Sequence, residues 1–169
     1  MPTSAGGMKK MENRKKNRLT GYDYSQPGAY FITVCTKDHK CILSAIVEAD
    51  AHIGPSVVLT TVGKMTEKYI KSIPGIGNYV IMPNHVHMIL HISAKDALKG
   101  PMWASAPTDA SIPSLVRSWK TLVSKELGES IWQRSYYDHV IRDEEDYVTK
   151  VQYIEENPAK WFYDDYFRW

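Results

Sequence analysis

Tyr79-Val80-Ile81-Met82-Pro83-Asn84-His85-Val86-His87-Met88-Ile89-Leu90 is the stretch on which the reading of the whole chain turns. It sets two imidazoles two residues apart in a run that is otherwise apolar and rich in β-branched side chains. Side chains alternate faces along an extended strand, so His85 and His87 point the same way and Val86 points into the opposite layer. Pro83-Asn84 is turn chemistry, so the stretch reads as a strand ending at Met82, a tight reversal, and a second strand bearing the histidines. Val86, Met88, Leu90 and Ile92 make one face of that strand uniformly apolar, and the other carries His85, His87 and His91. Two imidazoles one pleat apart can close on one divalent ion, or they can be two polar residues on a half-wet face; spacing alone does not choose. An inner sheet face must satisfy its polar groups, and that favours the metal, with His91 lying too far along to serve as a ligand.

Composition bounds the rest. The chain has 169 residues, 43% of them hydrophobic and 24% charged, with a net charge of +2, the profile of an ordinary globular protein with any basic surface confined to patches. Cys35 and Cys41 match no paired metal spacing, and nothing resembles a secretory signal. The expectation is two free thiols in the reducing cytoplasm. No apolar run approaches membrane-spanning length, so no membrane partner is expected.

Three regions follow from the order of signals. Residues 1–28 read as a basic arm and turn-rich lead-in. Lys9, Lys10, Arg14, Lys15, Lys16 and Arg18 in the arm suit phosphate contact as well as they suit a solvated terminus. Residues 29–158 read as the folded domain, and residues 159–169 as an aromatic tail. In the domain, Ala29–Thr36 is a strand by β-propensity, and pieces around Ile42–Val47 and Val57–Leu59 flank Gly54-Pro55 as a peripheral hairpin. A helix capped by Thr60 or Thr61 runs to about Ser72, with Val62, Met65, Tyr69, Ile70 and Ile73 on one side, before Pro74-Gly75 stops it. After the histidine hairpin, Lys95–Ser111 is loop. Ile112–Leu127 is a helix with Leu115, Trp119, Leu122 and Val123 as its stripe, and Arg117, Lys120 and Lys125 on the side that is either solvated or a phosphate track. Ile131–Ile141 reads as a strand, and a helix capped at Asp143 runs to Asn157 and is stopped by Pro158. The order predicts an α+β, ferredoxin-like βαββαβ antiparallel sheet with one additional C-terminal helix, free to lie across the face to which the histidines point.

At about 100° per residue, that last helix puts Tyr147, Val151, Ile154 and Pro158 on one apolar stripe. Tyr153 and Asn157 fall on its flank one turn apart, beside Lys150 and Asp146. A boundary tyrosine of this kind is most often simple packing.

The two constellations together carry a resemblance. Met82-Pro83-Asn84-His85-Val86-His87 resembles the histidine–hydrophobic–histidine motif of the HUH single-tyrosine transposases. Tyr153-Ile154-Glu155-Glu156-Asn157-Pro158 is similar to the tyrosine helix of their REP-associated branch. Gly21-Tyr22-Asp23-Tyr24-Ser25 with Gly28-Ala29-Tyr30-Phe31, and Trp132-Gln133-Arg134-Ser135-Tyr136-Tyr137-Asp138-His139, are similar to further segments of it. The match runs in order from Arg18 to Lys160. Departures are Ala159, where the branch often has Val, and the aromatic tail. The resemblance implies a metal-dependent endonuclease and strand transferase acting on single-stranded or hairpin DNA through a 5′-phosphotyrosine. In it Tyr153 is the nucleophile, and His85, His87 and Asn157 are ligands of Mg²⁺ or Mn²⁺. Lys15, Lys16, Arg18, Arg117, Lys120, Arg134 and Lys150 are the candidate DNA-contacting cations. A homodimer is compatible with it, with the tyrosine serving its own subunit or its partner's. The rival reading is a non-catalytic ferredoxin-like module that binds single-stranded nucleic acid by stacking bases on Tyr30, Phe31 and Tyr79, which would leave His85 and His87 unexplained.

Overall fold

The reversal at Pro83-Asn84 forms as expected: the Met82 N–H donates to the His85 carbonyl at 2.9 Å, closing a two-residue turn between neighbouring strands. In the computed structural model, residues 19–48, 54–93 and 111–164 are described. The arm with Lys15, Lys16 and Arg18, most of the expected 95–111 loop, and the tail after Asp164 lie outside the described residues. The elements are β1 (Gly28–Cys35), β2 (Ser44–Val47), β3 (Ser56–Leu59), α1 (Thr61–Ile70), β4 (Ile76–Ile81), β5 (His85–Ile92), α2 (Ile112–Leu127), β6 (Tyr137–Ile141) and α3 (Glu144–Glu156). Four strands form an antiparallel sheet in the order β4-β5-β1-β6, and β2 pairs with β3 in a separate hairpin. With that hairpin set aside, the path is the ferredoxin-like one and α3 is the added helix.

The alternation of side chains sorts the sheet into two faces. Tyr30, Ile32 and Val34 of β1 with Val86, Met88 and Leu90 of β5 form the larger core, against Ile70 of α1 and Leu115, Trp119 and Val123 of α2. Phe31 and Ile89 face the other way and pack on Ile154 of α3, with Tyr147 and Val151 alongside. α3 therefore covers the histidine face. α2 starts and stops where its chemistry says it should: the Ser111 hydroxyl caps the Ser114 N–H, and Gly128 takes a left-handed φ of 79°. The cap of α3 is Asp143, which accepts from the Asp146 N–H, with acids in its first turn.

One expectation is corrected and one is extended. The strand expected over Ile131–Ile141 forms only at Tyr137–Ile141. Residues 131–133 cross the end of β1 instead, with a single bridge between Trp132 and Thr36, and Lys120 of α2 spends its ammonium on the Gln133 and Arg134 carbonyls at 2.5 and 3.3 Å. The backbone of this segment is tied to the end of β1 rather than along it: the Gln133 N–H donates to the Cys35 carbonyl at 3.0 Å and the Lys37 N–H to the Ile131 carbonyl at 2.7 Å. The expected stripe of α1 forms, with Ile70 and Ile73 buried and Val62 and Tyr69 packed against the core, and it widens to bury Gly63 and Thr66, because the helix is drawn onto the chain at Leu43. A Cβ on Gly63 would stand 1.9 Å from the Leu43 carbonyl oxygen. Leu43 in turn accepts from the Thr60 N–H and donates its own N–H to the Pro83 carbonyl, each at 3.0 Å. The close approach at Gly63 is thus linked, through one residue, to the turn that presents His85.

Replacing Gly63 by Ala tests that linkage. Alanine gains about 1 kcal/mol of helix propensity, but its methyl would meet backbone that cannot give way. The expected outcome is a net loss of about 1–3 kcal/mol, read as a lower melting temperature. A rise would contradict the close approach.

Candidate functional site

His85 and His87 share a face of β5, as alternation requires, with ring centroids 4.5 Å apart and side chains essentially fully buried. Each imidazole is held from behind. His85 Nδ1 lies 2.8 Å from Asn84 Oδ1, and the Asn84 amide nitrogen donates to the His39 carbonyl at 3.3 Å, so the amide oxygen is turned to the ring and Nδ1 carries the proton. His87 Nδ1 lies 2.8 Å from Thr33 Oγ1, on the neighbouring strand position that registers with His87. Engaging Nδ1 in this way leaves Nε2 as the coordinating atom of His85 and directs that of His87 the same way.

Burial also sets the charge. It pushes the His85 pKa down to about 3, against the nearby Asn157 carbonyl, which favours the protonated ring, with His39 adding repulsion. His87 lies well below its ordinary value through burial first, then through His85 and Lys150. Both rings are neutral at neutral pH, the state in which imidazole binds a metal.

A carboxylate that did not stand out in the sequence completes the cluster. After α3 the chain turns at Pro158, forms a short 3-10 turn at Trp161–Tyr163 and brings Asp164 back over the site. The Asp164 side chain is 3% exposed, with Oδ2 3.9 Å from His85 Nε2. The donor atoms of His85, His87 and Asp164 all lie within 4.8 Å of one another. Trp161 is buried with its ring 6.0 Å from that of His85, and the negative charge of Asp164 adds to the burial that pushes the Cys35 thiol up to about 12. Asn157 is 2% exposed, and its side-chain oxygen has no conventional hydrogen bond among the described residues. Two neutral imidazoles, a buried carboxylate and a buried amide oxygen make a donor set that fits a divalent ion. The one hint in the sequence was Trp161, a large apolar residue past the helix stop that has to be buried somewhere.

Tyr153 projects from α3 at the rim. Its ring stands edge-on to His87 at 5.1 Å and to Phe31 at 5.8 Å, and it is 41% exposed where the donors are buried. Lys150 lies over the Phe31 ring at 5.4 Å. Lys150, Tyr153, His87 and His139 line one cavity of about 300 Å³, and Asp146 holds His139 Nε2 at 2.8 Å. His91 shares the strand face but turns to the Tyr147 hydroxyl at 3.4 Å and stays outside the donor cluster. The structure thus brings His85, His87, Asn157, Tyr153 and Lys150 together. Arg117, Lys120 and Arg134 gather elsewhere, around a separate cavity beside α2.

No family model matches the chain. An uncharacterized protein of Haemophilus influenzae is 32% identical over 173 residues, spanning 91% of this chain and 93% of the relative. A second protein of that bacterium, described as a candidate REP-associated tyrosine transposase, is 29% identical over 82 residues, 47% of each chain. Among solved structures, a REP-associated tyrosine transposase bound to a REP hairpin superposes with a TM-score of 0.59 at 23% identity, over 87% of this chain and 75% of that one, a likeness of fold. The chain belongs to one family with its full-length Haemophilus relative, and it resembles the REP-associated tyrosine transposases in sequence over half its length and in fold over most of it.

Proposed function

We propose that the chain is a transposase-like enzyme, a metal-dependent endonuclease and strand transferase that acts on single-stranded or hairpin DNA with Tyr153 as nucleophile. The observation that carries this reading is the half-exposed Tyr153 phenol standing 5.1 Å, ring to ring, from one of two buried neutral imidazoles. The family likeness and the hairpin held by the solved neighbour support the substrate class. As for the rival module, Tyr30 is buried and Phe31 is 9% exposed, each under a helical layer, so neither offers a ring for a base to stack on.

The chemistry follows from the residues. The Tyr153 phenol must lose its proton; with a free pKa near 10, only about one phenol in a thousand is ionised at pH 7. The Lys150 ammonium lines the same cavity as Tyr153 and offers positive charge to the approaching phosphodiester. The Tyr153 oxygen attacks phosphorus in line, forming the Tyr153–O–P bond to the 5′ side while the P–O3′ bond breaks, and the leaving 3′ oxygen takes up a proton. Retaining the phosphoryl group as an ester on Tyr153 permits rejoining, because a later 3′-hydroxyl can reverse the step. His85, His87 and Asp164, with Asn157 beside them, would hold Mg²⁺ or Mn²⁺, which supplies Lewis-acid neutralisation of the phosphate oxygens. Burial under α3 and Trp161 limits water, the competing nucleophile, at the donors. This reading goes with a cytoplasmic location and is compatible with a homodimer.

Two outcomes are expected. Mn²⁺ at a hundred times its dissociation constant should stabilise the parent by about 2.7 kcal/mol, seen as a raised melting temperature, and His85→Ala with His87→Ala should abolish that rise. An unchanged rise in the double variant would remove the metal assignment. With a labelled hairpin and Mn²⁺, Tyr153→Phe should bind DNA but form no covalent adduct, whereas Tyr147→Phe should form one. A trapped peptide that maps to another tyrosine would overturn the nucleophile.

A further inference from the structure

The cleavage step leaves one proton without a donor. When the P–O3′ bond breaks, its electron pair passes to a 3′ oxygen that leaves poorly as a bare alkoxide, and no residue placed so far gives that oxygen a proton. Burial keeps His85 and His87 neutral, and Thr33 engages His87 Nδ1 at 2.8 Å. Lys150 lines the cavity, but an ammonium has no lone pair with which to take a proton back when the step reverses.

His139 meets both demands. It stands on β6 in register with Phe31, whose ring stacks on that of His87 at 5.2 Å and meets Tyr153 edge-on at 5.8 Å. All four line the 300 Å³ cavity. The His139 side chain is 40% exposed, so, unlike the buried donors, it can exchange protons with solvent between steps. Asp146 fixes the ring from behind, with its two oxygens 3.0 and 2.8 Å from Nε2. The His139 hydrogen bond comes first among the contacts that hold the Asp146 carboxyl below its ordinary value, ahead of the Arg142 N–H at 3.1 Å and the charge of Lys150. An ionised carboxylate only accepts, so Nε2 carries a proton in both charge states of the ring, and Nδ1 is the nitrogen that gains and loses one. Nδ1 makes no hydrogen bond among the described residues. On α3, Asp146, Lys150 and Tyr153 follow at i, i+4 and i+7, which is one helical face. The helix thus presents, in order, the holder of the imidazole, a cation and the nucleophile. Of the other ionisable groups on the cavity, Tyr137 stands two places before His139 on the same strand face, and Asp138 registers with Ile32 of the opposite face.

We propose that His139 is the acid–base residue of the reaction, giving the Nδ1 proton to the 3′ oxygen as the P–O3′ bond breaks and taking it from the incoming 3′-hydroxyl as that bond is remade, with Asp146 as its positioning residue. The step balances. A Tyr153 oxygen lone pair forms the new bond to phosphorus, the P–O3′ pair goes to the 3′ oxygen, and the proton moves from Nδ1 to that oxygen. The ring is left neutral, which is the state the return step requires. The inference rests on Tyr153 as nucleophile. Its test maps the parent's cleavage position on a labelled hairpin with a single-stranded flank, then makes that linkage with either a 3′ oxygen or a 3′ sulfur. A thiol has a pKa near 8.5, so sulfur leaves as thiolate without a proton donor. With Mn²⁺, His139→Ala should form the adduct about a hundredfold more slowly than the parent on the oxygen substrate, and Asp146→Asn should also be slowed. Both should match the parent on the sulfur substrate and keep its Mn²⁺-induced rise in melting temperature. In NMR spectra of the histidine-labelled parent, the neutral His139 ring should carry its proton on Nε2. A parental rate on the oxygen substrate, an equal loss on both substrates, or a neutral ring protonated on Nδ1 would each overturn the assignment while leaving the nucleophile in place. A parent that forms no adduct at all sinks the enzyme reading, and the acid–base residue with it.

Discussion

Two neutral imidazoles buried on a sheet face, each with its Nδ1 engaged by a neighbour, are the constraint on which the rest of the structure depends. A buried polar group left unsatisfied costs about 1–3 kcal/mol, so a fold keeps such a pair only by building around it. Asn84 is set by the Pro83 turn, which is held by Leu43 and, through Leu43, by α1 at Gly63. Thr33 is set by the β1–β5 register, and a one-residue slip would carry both His87 and Thr33 to opposite faces. Peripheral elements such as the β2–β3 hairpin earn their place by holding the end of the sheet at which the donors meet.

The two helical layers are anchored unequally. α2 fully buries Ile112, Leu115, Val116, Trp119 and Val123, whereas α3 fully buries Ile154 alone. At about 1.5–3 kcal/mol per buried apolar side chain, α2 is held by several kcal/mol more than α3. The rest of the attachment of α3 is polar or aromatic: Asp146 to His139, Tyr147 to His91 and Lys150 over Phe31. The rigid layer backs the sheet, and the lightly held helix carries the tyrosine.

Much of this was legible in the sequence where local chemistry decides the outcome. The alternation around His85 gave the two faces, and the apolar period over Ile112–Leu127 gave the bounds of α2. The flank of α3 put Tyr153 beside Asn157 and Lys150, and His91 fell outside the donor cluster. The misses are all cases where a distant partner decides. Asp164 reaches the imidazoles only because the chain folds back after Pro158, which no periodicity announces. Residues 131–136 have strand-forming side chains, yet Lys120 takes two of their carbonyls and Trp132 packs on Trp119 at 4.8 Å. The stripe on α1 extends to Gly63, unremarkable in the sequence, because that is where the helix touches backbone.

The central claim is that His85, His87, Asp164 and the neighbouring Asn157 form a divalent-ion site within reach of Tyr153. Paramagnetic broadening by Mn²⁺ tests it most directly, in NMR spectra of the chain labelled in its histidine and tyrosine side chains. Sub-stoichiometric Mn²⁺ should erase the His85, His87 and Tyr153 signals first, while His91 and Tyr147 persist to higher metal. Broadening centred on His139, or spread evenly over all the histidines, would contradict the account.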